Sequence, residues 1–422
     1  MNAQKVIGVL LSITALSSFI NYKYVKLPKS IGVTLVTLVL TLLVTVSGKI
    51  GWNLDELANS LLDGIGFNET FLHGMLSFLL FSGSLHINVL ELSKHKVLVA
   101  LLATFSVIIS TVLIGYATFG LSKLLGINLP FYYCFVFGSL ISPTDPIAVL
   151  GILKKVKARK SLEMKIAGEA LFNDGMGIVL FFVTSAIASG AQDSWHPLET
   201  FWFFMQQGFG GIILGAIMGY LASRLLRTID DYEVAISLTL AIVTGGYTFS
   251  LEMGVSGPIC MVVAGLIVGD SVKKGTLSPD AMKRLDSFWE LVDEIMNALL
   301  FVLIGLEFMC IKFDFNTLLL SLGTIVIAIA ARWFSISIPV ASMTRFKSFN
   351  SEVMMVMTWG GLRGGISIAL ALSIQGPWRD LIVSITYAVV LFSMMVQGLT
   401  IGPLVKKLAS DAREKNAVDV DA

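Results

Sequence analysis

The feature that most constrains this chain is a near-unbroken series of apolar stretches, each close to the roughly 20 residues an α-helix needs to cross a bilayer. They fall at about 5–21, 31–47, 69–90, 97–122, 130–153, 164–189, 200–223, 233–251, 255–271, 287–311, 315–343, 352–374 and 380–405. Of the 422 residues 14% are charged and 55% hydrophobic, whereas a soluble domain carries about 25% charged residues. Mean hydropathy is +0.82. The fold class is therefore an all-α polytopic membrane protein with about 13 transmembrane helices. The first apolar run, Val6 to Phe19, is followed by Asn21-Tyr22-Lys23-Tyr24 rather than a small-residue cleavage pattern, so it reads as a span and not as a signal peptide.

An odd number of spans puts the two ends on opposite sides. With the C-terminus in the cytoplasm, 23 of the 30 Lys and Arg fall in inside loops and five outside, while Arg332 and Arg363 lie within spans. That bias indicates an N-terminus outside and a cytoplasmic C-terminus. No linker separates soluble domains. Residues 1–408 read as a single transmembrane unit and 409–422 as a short, charged, disordered cytoplasmic tail with no regulatory domain.

Two spans carry helix breakers. The fifth contains Ser142-Pro143-Thr144-Asp145-Pro146, where each proline removes a backbone donor and clashes with the preceding turn. The twelfth contains Gly360-Gly361-Leu362-Arg363-Gly364-Gly365, too glycine-rich for a regular helix. The two lie seven spans apart and so run in opposite directions, the expectation for inverted repeats with crossed broken helices near 142–146 and 360–365. Unwound backbone persists in a bilayer only where it is buried in protein or lines a cavity, so Pro143, Pro146 and Gly361 point to a site. A broken helix exposes carbonyls at one half-end and amides at the other. Asp145 suits a positive N-terminal end and Arg363 a negative C-terminal end, a role placed ahead of direct ion binding.

The sixth span places Glu169 and Asp174 in an otherwise apolar helix, at an insertion cost of about 2.5–3.5 kcal/mol each. Glu169 and Asn173, four residues apart, share a face; Asp174 is rotated by about 100°. Arg332, buried in the eleventh span, needs a carboxylate partner. Glu169 or Asp174 can supply it, and the favoured pair is Glu169–Arg332, with Asp174 left to titrate. A hard cation such as Na⁺ takes oxygen ligands, available from Asp174, from Thr144 and from unwound carbonyls. Burial disfavours the charged form of a carboxylate. Proton and cation can then compete for one group, which suffices for exchange.

These motifs resemble the NhaP-type sodium/proton antiporters, the bacterial relatives of the eukaryotic sodium/proton exchangers. The resemblance covers nearly all thirteen spans. It rests on Ser142 to Pro146, Glu169 to Gly175, Arg332, Gly361-Leu362-Arg363-Gly364-Gly365, Phe288-Trp289-Glu290 and Leu300 to Leu306. It implies a homodimer in a bacterial inner membrane, with core helices at about 97–189 and 315–405 and dimer or scaffold helices at about 5–90 and 200–311. It also implies electroneutral exchange of Na⁺ or Li⁺ for protons, marked by Asn173-Asp174 in place of two aspartates. Asp174 would carry either ion, Thr144 would be a ligand, Asn173 and Asp145 would support the unwound segment, and Glu169 would pair with Arg332. No cofactor is implied beyond the transported ions. Two positions depart from relatives: Ala170 stands where some have serine, and Ser82 where some have glutamate. Ligands are thus fewer, which keeps K⁺/H⁺ or broad monovalent exchange open as the other reading.

Glu290, Asp293 and Glu294 suggest an acidic funnel or a solvated helix end. His73, His86, His95 and His196 read as ordinary interface residues. Cys134, Cys260 and Cys310 read as buried apolar residues, without metal or disulfide spacing. No basic run with aromatics suggests nucleic acid. A channel would need a continuous polar pore. A hydrolase would need a nucleophile motif, and Gly365-Ile366-Ser367-Ile368-Ala369 lacks the closing glycine.

Overall fold

The computed structural model describes residues 3–49, 70–94, 96–146, 149–151, 153, 160–189, 197–307, 314–342 and 351–418. Among them every regular element is helical. In chain order these are α1 (Ala3–Ile20), α2 (Lys29–Lys49), α3 (Thr70–Leu85), α4 (Val89–Lys94), α5 (Val97–Leu124), α6 (Phe131–Ile141) and α7 (Lys160–Ala188). There follow α8 (Pro197–Leu226), α9 (Tyr232–Glu252), α10 (Gly257–Ser271), α11 (Pro279–Glu307), α12 (Phe315–Ser342), α13 (Ser351–Trp359), α14 (Gly365–Leu372) and α15 (Arg379–Leu408).

Each apolar segment of the sequence overlaps one of these helices. Six of them, α5, α7, α8, α9, α12 and α15, are long and apolar enough to cross a bilayer unaided. The others are short, broken or charged, so length and hydropathy do not by themselves establish them as spans. The helix pair Ile7–Val25 and Lys29–Val44 bends by 108° at its junction. Asn21 builds that corner: its amide group donates to the Leu27 carbonyl and accepts from the Leu27 N–H, both at 3.2 Å. Lys26 turns the chain in the left-handed region, at φ 56°.

Helix ends are satisfied locally. Asp231 caps α9 by accepting from Glu233 N at 2.8 Å, and Ser256 caps α10 through Ile259 N at 3.4 Å. Lys273, just beyond α10, donates to the Leu85 and Ile87 carbonyls at 3.1 and 2.8 Å and so closes the C-terminal end of α3. One layer stacks α8 on α10 and α10 on α3. Trp289 of α11 is fully buried beside Phe81, with ring centroids 4.9 Å apart, and its indole N–H donates to Thr239 at 3.1 Å. The second group, α5, α6, α7, α12, α14 and α15, packs around the two chain breaks.

One expectation is corrected. Residues 409–418 are not irregular but continue the last helix as far as Val418. Beyond Pro403 the segment contains neither glycine nor proline and is rich in Ala, Lys, Arg and Glu, which favour helix.

Candidate functional site

The interruption after α6 and the one between α13 and α14 meet each other. The Asp145 N–H donates to the Leu362 carbonyl at 2.8 Å, an isolated antiparallel bridge between two otherwise helical segments. The half-helix ends are covered by side chains from the opposite break. Arg363, buried, donates through Nη1 to the Ser142 and Pro143 carbonyls at 3.4 and 3.2 Å, at the C-terminal end of α6. Asp145 Oδ2 lies 2.8 Å from the point a Cβ on Gly364 would occupy, at the N-terminal end of α14. Two serines complete the junction: Ser393 Oγ accepts from Arg363 N at 2.6 Å, and Ser367 donates to the Leu140 carbonyl at 2.7 Å.

Helix α7 passes directly against this crossing. Gly177 makes that possible, because a Cβ there would run into Pro143. One face of α7 carries Asn173, which is fully buried; its Nδ2 donates to Thr144 Oγ1 at 2.9 Å, and its Oδ1 takes a long contact of 3.5 Å from Thr144 N. One turn earlier Glu169 faces Arg332 of α12. Nη2 donates to Oε2 at 2.9 Å and Nη1 lies 2.6 Å from Oε1, with both side chains almost wholly buried. Asp174, rotated away from that pair, lines a cavity of about 1470 Å³.

The cavity is walled by α1, α2, α3, α7 and α11 and reaches both breaks at Pro143, Asp145, Pro146, Gly364 and Gly365. Asp286, Glu290, Asp293 and Glu294 stand along its α11 wall, opposite Lys26 and Lys29 of the α1–α2 corner. Lys29 and Glu294 pair across it at 2.5 Å, both substantially exposed. Ala170 is on the wall, whereas Ser82 is turned away and donates to the Trp289 carbonyl at 2.8 Å. His86 lines the cavity with its ring against the Ser82 carbonyl at 2.8 Å. His95, His196 and Cys310 lie outside the described residues, and Cys134 and Cys260 are buried free thiols. Among the described residues no three His, Cys, Asp or Glu groups cluster as metal ligands. Gly177 and Ser393 escaped the sequence reading, and Ser367 entered it only as the serine of a rejected nucleophile motif. Gly175-Met176-Gly177 inside the acidic helix was a signal for close approach, while the serines carried none.

The sodium/hydrogen exchanger transmembrane family matches this chain over residues 9–407. The chain belongs to that family. This family member is 40% identical over 408 residues to the Na(+)/H(+) antiporter NhaP of Pseudomonas aeruginosa, covering 95% of this chain and 96% of that protein. It is 33% identical over 390 residues to the Na(+)/H(+) antiporter NhaH of Halobacillus aidingensis, covering 92% and 93% of the two chains. Its fold superposes on that of the sodium proton antiporter MjNhaP1 from Methanocaldococcus jannaschii at pH 8 with a TM-score of 0.76 and 21% identity, covering 97% and 99% of the two chains. As an exchanger-family protein it is a transporter and not an enzyme.

Proposed function

We propose that this protein exchanges Na⁺ or Li⁺ for protons, one for one, by alternating access, with cation and proton competing for Asp174. The observation that carries the reading is the division of labour on α7. Glu169 is matched by Arg332, Asn173 is uncharged and bonded to Thr144, and Asp174 is the α7 carboxylate beside the chain breaks that faces the large cavity, the other α7 carboxylate on that wall, Glu163, standing in the helix's first turn. One such carboxylate binds either one monovalent cation or one proton, which gives electroneutral turnover. Thr144 and the carbonyls of the unwound segments supply further oxygens for a hard cation. Asp145 and Arg363 balance the half-helix ends that such unwinding exposes.

The relatives named as Na(+)/H(+) antiporters support sodium as the cation. The remaining architecture belongs to the same proposal: thirteen spans with the N-terminus outside, a core of about 97–189 and 315–405, and a homodimer in a bacterial inner membrane through the other helices. In that orientation Lys26, Lys29 and Asp286 face the cytoplasm, so the cavity opens inward.

The test is recovery of a preset pH gradient in proteoliposomes on adding Na⁺, Li⁺ or K⁺, with and without a clamped membrane potential. Recovery indifferent to potential and lost in Asp174→Ala is expected. Dependence on potential would overturn the one-for-one stoichiometry, and absence of recovery with every monovalent cation would overturn the exchange itself.

A further inference from the structure

The large cavity ends against Leu300 and Phe301 of α11 and against Gly365 and Ser367 at the start of α14. The protein is closed beyond that end by packing between the same helices. Ile304 stands one turn past Leu300 on α11 and is buried. Gly365 lets α14 come up against both, because a Cβ there would run into Leu300 and stand 3.0 Å from Ile304 Cδ1. Phe301, Ile304, Ile368 and Tyr387 belong to one buried apolar cluster, and α14 packs on both α11 and α15. Close-packed apolar side chains exclude a hydrated ion, so this cluster is a seal on the face away from the cavity.

A hydrogen bond is set into the seal. The Tyr387 hydroxyl donates to the Ile304 carbonyl at 3.1 Å, with both residues buried. Tyr387 belongs to α15, in the group around the two chain breaks, whereas Ile304 belongs to α11, which packs with α2 and α3. The bond therefore ties the body that carries the crossing to the scaffold beside it. A phenylalanine ring would fill the same space. The hydroxyl adds direction, and a hydrogen bond inside an apolar seal is stronger than one in water. When the far face opens, α11 parts from α14 and α15, and water takes up both groups.

We propose that Tyr387 latches the far face of the transporter shut, its hydroxyl holding α15 to the Ile304 carbonyl of α11 while the large cavity is open and letting go when access alternates. Tyr387 is a positioning residue that touches no ion, and its role rests on the exchange reading above. The bond is made in one access state and absent from the other, so it biases their equilibrium by its net strength, about three- to tenfold. Its removal raises the population open at the far face. With the cavity-open state favoured, apparent affinity at the far face scales with the small population open there.

Tyr387→Phe in the full-length protein tests the latch in two ways. Na⁺-driven exchange in membrane vesicles of each orientation gives a KM for each face. The KM at the face away from the large cavity should fall about three- to tenfold, while the KM at the cavity face stays within about twofold of the parent. Unchanged KM at both faces overturns the latch. So does a loss of rate with both KM values kept, which is what a merely structural contact would give. Hydrogen–deuterium exchange in lipid nanodiscs reads the seal without transport. The amides of α14 and of the end of α11 from Leu300 to Glu307 should exchange faster in Tyr387→Phe than in the parent, with α8 unaltered; equal exchange overturns the latch. Absence of Na⁺-driven exchange in the parent itself would instead refute the exchange reading, and amide exchange would still decide whether Tyr387 holds the two helices together.

Discussion

Asp145 and Leu362, 217 residues apart in sequence, are joined by one backbone hydrogen bond of 2.8 Å, and at that bond the two interrupted helices cross. Everything assigned to ion exchange lies around it: Arg363 and Asp145 at the half-helix ends, Thr144 beside Asn173, and α7 pressed against Pro143.

The pairing of Glu169 with Arg332 sets the first prediction. Removing one partner leaves a buried charge alone, a loss of about 3–5 kcal/mol. Glu169→Ala and Arg332→Ala should each lower the thermal unfolding temperature in detergent, and the double variant should regain part of the loss. Single variants as stable as the parent would show that the pair does not hold α7 to α12.

Gly177 is the contact point between α7 and the first break. Gly177→Ala forces a Cβ against Pro143, and overpacking of this kind costs about 1–3 kcal/mol. The prediction is a lower unfolding temperature together with slower exchange, because the strain falls on the segment that carries Thr144 and Asp145. Gly168→Ala, one helix face away against the flexible end of Leu92, should be milder in exchange assays.

Ser393 supports the second break. Its hydroxyl accepts the Arg363 N–H at 2.6 Å within a π turn of α15. Ser393→Ala leaves that buried amide unpaired, at about 1–3 kcal/mol. Reduced exchange is expected, with recovery in Ser393→Thr, which restores the oxygen. Equal activity in all three proteins would place Ser393 outside the machinery.

How much of this could be read from the residues follows from the range of each interaction. The interruptions announce themselves locally, because Pro143, Pro146 and the glycines from 360 to 365 act on their own backbone. Charged residues in apolar helices announce themselves too, by their cost. Periodicity separates Glu169 from Asp174 but does not choose which one meets Arg332, since the rotation of α12 against α7 is a packing outcome. The Asp145–Leu362 bridge and the Ser393 contact join distant segments through groups that any sequence contains. The tail beyond residue 408 reads as disordered by its charge, whereas its helix propensity carries the last helix on to Val418.

The cavity rim carries the last prediction. Lys29 and Glu294 pair at 2.5 Å, yet their side chains are 76% and 49% exposed. An exposed pair of this kind is worth about 0–1 kcal/mol, so Lys29→Gln should leave the unfolding temperature nearly unchanged. Its effect should be electrostatic instead. Removing one cation from a rim that also bears Asp286, Glu290 and Asp293 makes the entrance more negative and raises the local concentration of Na⁺. The KM for Na⁺ measured from that side should therefore fall at low ionic strength. At about 1 M of a non-transported salt, where the Debye length is about 3 Å, the difference from the parent should vanish. A KM change that persists at high salt would mean that Lys29 acts by contact with the ion path and not through its field.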